Sequence, residues 1–397
     1  MAASPSTARV INDRLALQFL QDEGPLTAGQ LKAMTGLSRP TVADLVDRLQ
    51  VSGLVRIVGE AGAQRRGPNA RLYGIVADRA HLAALDIRTQ GVSLVVADLL
   101  GATLAEASLP IGDDTATESA VERAAALLER TVRDAGATRL HSVGVGVPGL
   151  IDPATGELRT VRGLPAWHRR LVAALQERLS ARVVLENETN LAAVAEQRAG
   201  AARDRDTFVF VWLGHGVGAG VFLDGRLRRG AAGGAGEIGF LPVPGTGGLP
   251  SAVECGGGFH TLVGAEGIRR LAAEHGLPVP GGDGPGAAAA MASVVAGVVA
   301  SGGGGAAGFL DELAQRISLG AAAVTAVLDP GCVVLGGELG LAGGAALAER
   351  VESRLAGLTP MATQVRPGEL GGSAVLRGAL LIARDHAQDD LFGPGAA

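Results

Sequence analysis

The chain has little cysteine. Cys255 and Cys332 are the two among 397 residues. That excludes a disulfide framework and leads us to expect a reducing, cytoplasmic setting. The first residues, MAASPSTARV, lack the apolar stretch of a secretory signal. Charge is missing from Gly284 to Leu310, but that run is mostly Gly and Ala. Its glycines argue against a membrane span and for a packed helix plus a flexible loop. Charged residues make up 19% of the chain against 47% hydrophobic, the balance of a chain that buries a core. The length allows two or three domains with full-sized cores.

The net charge of −5 is unevenly spread. Residues 1–75 hold nine Arg or Lys and six Asp or Glu; the remainder holds 26 and 34. A basic N-terminal segment on an acidic body suggests a nucleic-acid module joined to another domain. The pattern of residues 8–76 agrees. Val10 to Leu20 have helical spacing, with Ile11, Leu15, Leu17 and Leu20 near one side. Thr27 is placed to cap a short helix that carries Leu31 and Met34 inward, and Gly36 makes a tight turn. Ser38 then caps SRPTVADLVDRLQVSG, with Pro40 in its first turn and Val42, Leu45, Val46 and Leu49 as its buried stripe. Gly53 ends it. Two short helices around such a turn form a helix-turn-helix, whose second helix meets DNA with its N-terminal residues, here Ser38, Arg39 and Thr41. LVRIVGE and RLYGI read as a β-hairpin, or wing, with Arg65 and Arg66 at its tip, suited to a narrow minor groove. The alternative is an ordinary helical hairpin with a basic loop.

Beyond residue 80 strands and helices alternate. HLAALDIR, GVSLVVADLL and ATLAEASL read as a three-strand meander, followed by helix TESAVERAAALLERTVRDAG, strand LHSVGVGVPG, helix AWHRRLVAALQERLS, strand RVVLENE and helix TNLAAVAEQRAG. TFVFVWLG, VGAGVFLDG and RLRRGAAG repeat the meander. The helix around LDELAQRISLGAAAVTAVLDP, the strand GCVVLGGEL and the helix around SAVLRGALLIARDHA complete the second half. Two similar α/β halves, residues 80–204 and 205–390, predict a bilobal body with a ligand cleft between the lobes.

VGVGVPGLIDPATGEL, GLPAWH, VVLENETNLAAVAE, GHGVGAGVFLDGRLRRGAAGGAGEIG and LDPGCVVLGGELG together resemble the ROK family of bacterial sugar kinases and sugar-responsive repressors. The resemblance runs from about residue 8 to 385, because the repressor branch carries an N-terminal winged helix. It implies an α/β chain, a winged helix-turn-helix followed by an actin-like (ribonuclease-H-like) bilobal ROK domain. It also implies a sugar ligand, operator DNA as partner, and a homodimer or homotetramer.

The resemblance also carries site residues. The family's sugar-binding Asn and its catalytic Asp match Asn187 and Glu188 in Glu186-Asn187-Glu188. Glu reaches one methylene further than Asp, and misplacing a base by about 1 Å costs roughly a hundredfold in rate. Asn187 and Glu188 either hold a ligand hydroxyl or cap the next helix. Glu237 in GEIG matches a sugar-binding Glu, whose two oxygens accept from neighbouring hydroxyls. Phe240 stands where the family expects a His. His260 in GGFHT matches a further sugar-binding Glu; it either contacts the ligand or ties down its own loop. The region of Cys255 and His260 has no cysteine pair, and a structural tetrahedral zinc needs four ligands, so neither metal nor cofactor is expected.

The family's first phosphate loop reads like DxGGT. Asp86 keeps its place, but Arg88, Thr89 and Gln90 fill the next matching positions, and bulky side chains there obstruct a backbone cradle for phosphate. Arg88 is left to attract an anion or to pair with an acidic neighbour. Gly214, Gly216, Gly218 and Gly220 survive in the second loop, where His215 replaces a Thr, and Gly336-Gly337 matches the nucleoside-side turn. The reading that follows is a sugar-responsive DNA-binding regulator without phosphotransfer. The alternatives are an active sugar kinase with an appended DNA module and a DNA-binding architectural protein whose body senses nothing.

Overall fold

The computed structural model describes residues 5–61, 70–112, 114–159, 165–251, 256–279, 286–301 and 305–393. The N-terminal module comprises α1 (Pro5–Asp22), β1 (Leu26–Thr27), α2 (Ala28–Thr35), α3 (Arg39–Val51), β2 (Val55–Ala61) and β3 (Ala70–Ile75). Thr27 and Gln30 form a reciprocal capping box on α2, which ends at Gly36 with φ 70°. Ser38 caps α3, whose buried residues are Val42, Leu45, Val46 and Leu49, as their spacing predicts. The strands pair in the order β1-β3-β2, the sheet of a winged helix.

Three apolar residues depart from expectation. Ile11 is 55% exposed, Leu15 38% and Met34 36%. The buried face of α1 is Ala16, Leu17 and Leu20. Leu15 precedes Leu17 by two residues and so points to a different side of the helix. Met34 lies in the last turn of α2, where the core has ended.

The body begins after a 3₁₀ turn, Ala77–Arg79. Its first lobe holds β4 (His81–Arg88), β5 (Gly91–Asp98), β6 (Thr103–Pro110), α4 (Thr117–Asp134), β7 (Ser142–Val147), α5 (Ala166–Arg178), β8 (Arg182–Asn187) and α6 (Glu188–Ala199). Its second holds β9 (Phe208–Leu213), β10 (Val217–Leu223), β11 (Arg226–Arg228), α7 (His260–Val263), α8 (Ala265–Glu274), α9 (Ala287–Ser301), α10 (Gly305–Leu328), β12 (Cys332–Gly336), α11 (Gly337–Leu355) and β13 (Gln364–Pro367). The sheet orders are β6-β5-β4-β7-β8 and β11-β10-β9-β12-β13. Each is an antiparallel meander extended by two parallel strands, so the predicted duplication is present. The second meander is shorter than predicted: β11 ends at Arg228 and the chain leaves as a loop. The charge-free run supplies α9, with Met291, Val295 and Val298 buried. Among the described residues no helix is long and apolar enough to cross a membrane.

The last helix, α12 (Ala374–Phe392), follows the second lobe in sequence but packs on β4, β7 and α6. Val375 and Ala379 join Ala84, Leu191, Phe208, Phe210 and Val334 in a core that both lobes share. Buried Glu196 of α6 accepts from the backbone of Glu369 and Leu370, just before α12. Further along, Ala383, Ala387 and Phe392 enter the core of the winged helix beside Leu17, Leu82 and Leu99. Arg14 of α1 pairs with Asp389 on the same helix. The core of the N-terminal module is therefore continuous with the body.

The crossing of α6 and α12 depends on Gly378. A Cβ there would lie 2.0 Å from the Leu191 carbonyl oxygen. In a free helix Gly→Ala stabilises by about 1 kcal/mol. Gly378→Ala should instead destabilise the protein by about 1–3 kcal/mol, as overpacking does. Denaturant unfolding measures it, and a raised midpoint would contradict the close crossing.

Candidate functional site

The exposed end of α3 is the first candidate site. Ser38 Oγ accepts from the Thr41 backbone N–H at 3.3 Å and lies 2.8 Å from Thr41 Oγ1. Arg39 is exposed and forms no ion pair among the described residues. Arg48, which sequence reasoning passed over, braces the other side of α3. It holds Asp13 of α1 at 2.6 Å and also Asp44. Arg65 and Arg66 lie outside the described residues.

The second site is the cleft between the lobes. Arg88 ends β4 and reaches into it. Its Nε donates to Asp86 Oδ2 at 2.9 Å, and its Nη1 to Glu338 Oε1 on α11 at 2.9 Å. Its guanidinium lies 5.4 Å from the ring centroid of Trp212 on β9, an attractive cation–π placement. Of the two possibilities for Arg88, an anion or an acidic neighbour, the structure supplies acidic neighbours from both lobes. Gln90 reaches the second lobe as well: a Cβ at Gly286 would meet its Nε2 at 3.3 Å. Gly214 is required by packing, since a Cβ there would lie 2.5 Å from Trp212 Nε1 and 2.6 Å from Glu338 Oε2. Its presence therefore has a cause other than phosphate. Under the turn, fully buried His168 lies beside the Arg88 backbone, and burial pushes its pKa down to about 4, so the ring is neutral.

Next to Arg88 is the first residue of α6, Glu188. Its Oε2 is buried and has no hydrogen-bond partner among the described residues. Burial pushes its carboxyl up to about 8; Arg88 opposes this, while Asp86, Glu338 and Glu237 add to it. Asp86 Oδ1 and Glu338 Oε2 also lack partners. Three orphaned carboxylate oxygens around one guanidinium leave acceptors free for hydroxyl donors.

Asn187 has a structural task. Its Oδ1 accepts from the backbone of Thr189 and Asn190, capping α6, and its Nδ2 donates to the Gly149 carbonyl at 3.0 Å. Glu186, unassigned from sequence, is buried and fully used: it accepts from Asn187 N and Asn190 Nδ2, and from Arg229 Nε at 2.6 Å. An Arg in the loop after β11 gave no sequence signal for this bond, because tertiary folding alone brings residues 186 and 229 together.

Glu237 precedes a 3₁₀ turn, Ile238–Phe240, and its side chain is exposed. Its charge acts on Glu188. His260 opens α7 and its Nδ1 lies 3.0 Å from the Gly239 carbonyl, which ties α7 to the Glu237 turn. Phe240, exposed, lies 6.3 Å from the His260 ring. The fold thus ties His260 to the turn after Glu237 and gives Asn187 to the helix cap. Cys255 lies outside the described residues, and no metal-binding group of three His, Cys, Asp or Glu occurs among those described.

Comparison with known proteins agrees with this division. Residues 82–386 match the ROK family and residues 12–66 match the MarR family. The chain is 27% identical over 237 residues to the xylose repressor of Caldicellulosiruptor bescii, a stretch covering 59% of each protein. The chain therefore matches about three fifths of that relative's length. A crystal structure of a ROK family transcriptional regulator, a homologue of the E. coli MLC protein, superposes over 97% of this chain and 98% of its own. Its TM-score is 0.77 at 19% identity, a likeness of fold. The ROK hexokinase of Thermus thermophilus covers 78% of this chain and 99% of its own, with TM-score 0.62 and 27% identity.

The Glu188 carboxyl generates a pH prediction. The folded chain holds this proton more tightly than an unfolded one does, so ionisation opposes folding. The penalty is absent below about 4.5, grows through neutral pH and is complete above about 8. Glu188→Gln, a mimic of the protonated form, should match wild type near pH 5. At about pH 8.5 it should be more stable by about 1 kcal/mol or more. Thermal melts at the two pH values test this, and a pH-independent difference would overturn it.

Proposed function

The chain belongs to the ROK family, and from that premise we propose that it is a sugar-responsive DNA-binding transcriptional regulator, of repressor type, whose kinase-derived body does not transfer phosphate. The observation that carries this reading is Arg88. Its guanidinium stands at the end of the strand-turn-strand that kinases of the family use for phosphate, ion-paired to Asp86 and Glu338 and lying against Trp212. A nucleotide phosphate there would have to displace these partners and face Asp86 and Glu338, whose negative charges repel it. Glu188, in place of an Asp, reaches one methylene further, and displacing a base by about 1 Å costs roughly a hundredfold in rate.

A sugar suits the same cleft. Its hydroxyls donate to Glu188 Oε2 and to Glu237, with His260 fixing the turn that presents Glu237. In this reading Ser38, Arg39 and Thr41 contact operator DNA, and Arg65 and Arg66, between β2 and β3 in sequence, contact the backbone or minor groove. Two modules of a homodimer, or of a homotetramer of such dimers, would meet half-sites about 34 Å apart. Because α12 is buried both between the lobes and in the module, a change in lobe angle on sugar binding reaches the DNA module through one rigid helix. The sugar shifts DNA affinity only by its differential affinity for the two arrangements. The xylose repressor likeness supports a sugar effector as a class.

Mapping the bound DNA first supplies the operator. Arg39→Ala should then weaken binding by about 1–3 kcal/mol, roughly five- to 150-fold. Replacing Arg65 and Arg66 by Ala should weaken binding and flatten its salt dependence. Gel-shift titrations at several salt concentrations read both, and wild-type affinity in both variants would sink the DNA assignment. Glu237→Ala should abolish the sugar response and leave sugar-free operator binding intact. A coupled assay with ATP and a hexose panel tests the body: turnover at ordinary kinase rates, about 1–100 per second, would replace this reading with that of an active kinase.

A further inference from the structure

A cavity of about 690 Å³ lies where the winged helix meets the body, away from the sugar cleft. Arg56 of β2, Arg198 of α6 and Arg384 of α12 line it, together with Asp22, Leu100 and Leu381. One arginine thus comes from the DNA module and two from the body. A smaller apolar cavity of about 150 Å³ adjoins it, sharing Leu100, Leu381 and Arg384 and lined further by Leu370, Leu380 and Ala195.

Arg384 is the unusual member. Its side chain is only 17% exposed, and among the described residues its one ion-pair contact is Asp385 Oδ1 at 3.8 Å, beyond hydrogen-bond range. Asp385 gives its other oxygen to Arg198 at 2.9 Å. Asp22 is also engaged, with both oxygens accepting from Gln18 at 3.1 and 3.2 Å. Arg384 Nε is buried without an acceptor, and no hydrogen bond to the other guanidinium nitrogens is found among the described residues. Burial draws this guanidinium below its usual range; Asp385 opposes the shift and neighbouring Arg198 adds to it. An arginine offers five donors in a fixed planar fork, and leaving buried donors unmade is costly. The fork matches two oxygens of a carboxylate or a phosphate.

We propose that this junction is a second ligand site, which binds a small organic oxyanion, a carboxylate or a phosphate monoester, on Arg384 and Arg198 with its apolar part against Leu100 and Leu381. Arg56 closes the site from the DNA module. A bound oxyanion bridges β2 to α6 and α12 and fixes the module against the body. This last consequence rests on the DNA-binding reading above; the binding itself does not.

The experiment is isothermal titration of the full chain, in a buffer of low ionic strength without oxyanions, with benzoate, glucose 6-phosphate and inorganic phosphate as probes and glucose as the neutral control. Saturable heat is expected with benzoate or glucose 6-phosphate, and whichever binds identifies the carboxylate or the phosphate source. Arg384→Gln should weaken that binding by about tenfold or more, as loss of a charge-assisted pair does. Arg56→Gln, on a side chain more than half exposed and so safe for folding, should weaken it less. Glu237→Ala should leave it unchanged. No saturable heat up to about 10 mM of every probe, beyond the affinity of a specific site, would overturn the proposal. So would binding unaffected by both arginine variants, or binding lost in Glu237→Ala, which would put the anion in the sugar cleft. Failure of Arg39→Ala to affect DNA would leave these titrations untouched.

Discussion

The burial of α12 is the constraint on which the rest of the structure depends. A helix at the end of the chain is apolar on more than one side, so it must be enclosed on more than one side. Val375 and Ala379 fill the core between the lobes, and Ala383, Ala387 and Phe392 fill the core under the winged helix. Its small residues allow close contact: Ser142 Oγ donates to the Ala383 carbonyl at 2.6 Å, and Gly378 rests against the backbone of α6. Interiors packed at crystal-like density transmit displacement rather than absorb it. A rotation of one lobe is therefore felt at the N-terminal module without any special relay.

Charge at the cleft follows a second constraint. Asp86, Glu188 and Glu338 approach one another because two lobes and the N-termini of two helices, α6 and α11, converge. Three carboxylates cannot share a partly dry space without a cation or a proton. Arg88 supplies the cation, and the raised pKa of Glu188 supplies the proton. The Arg-Thr-Gln turn is thus coupled through Arg88 to Glu338 on the opposite lobe. Arg384, near the winged helix, presents the reverse arrangement, a buried cation whose acids are engaged elsewhere.

Much of the fold was legible in the sequence, because local chemistry fixes local structure. Thr27 and Gln30, Ser38 and Pro40 mark helix starts by hydrogen bonds within three residues. Short apolar runs bounded by turn residues mark β4 to β6 and β9 to β10. The failures were of orientation: Ile11, Leu15 and Met34 are apolar, but spacing alone did not say which helical face would meet a neighbour. The short β13 carries no strong period and was missed; the helices α8 and α11 were passed over as well. At the candidate site, sequence offered Asn187 as a ligand residue or as a cap, and the cap is what its oxygen makes. His260 likewise holds the Gly239 carbonyl.

The sequence by itself determined the modules: a capped helix pair with a wing, then two repeated α/β halves, because caps, turns and periodicity act over a few residues. Only the tertiary structure decided what Arg88, Glu186 and Arg384 do. The partners of Arg88 and Glu186 stand 250 and 43 residues away, at Glu338 and Arg229, and the acceptors that Arg384 lacks are defined by three elements meeting. Whether a charge is paired, protonated or left waiting for a ligand depends on which groups share its enclosed space, and chain order does not encode that distance.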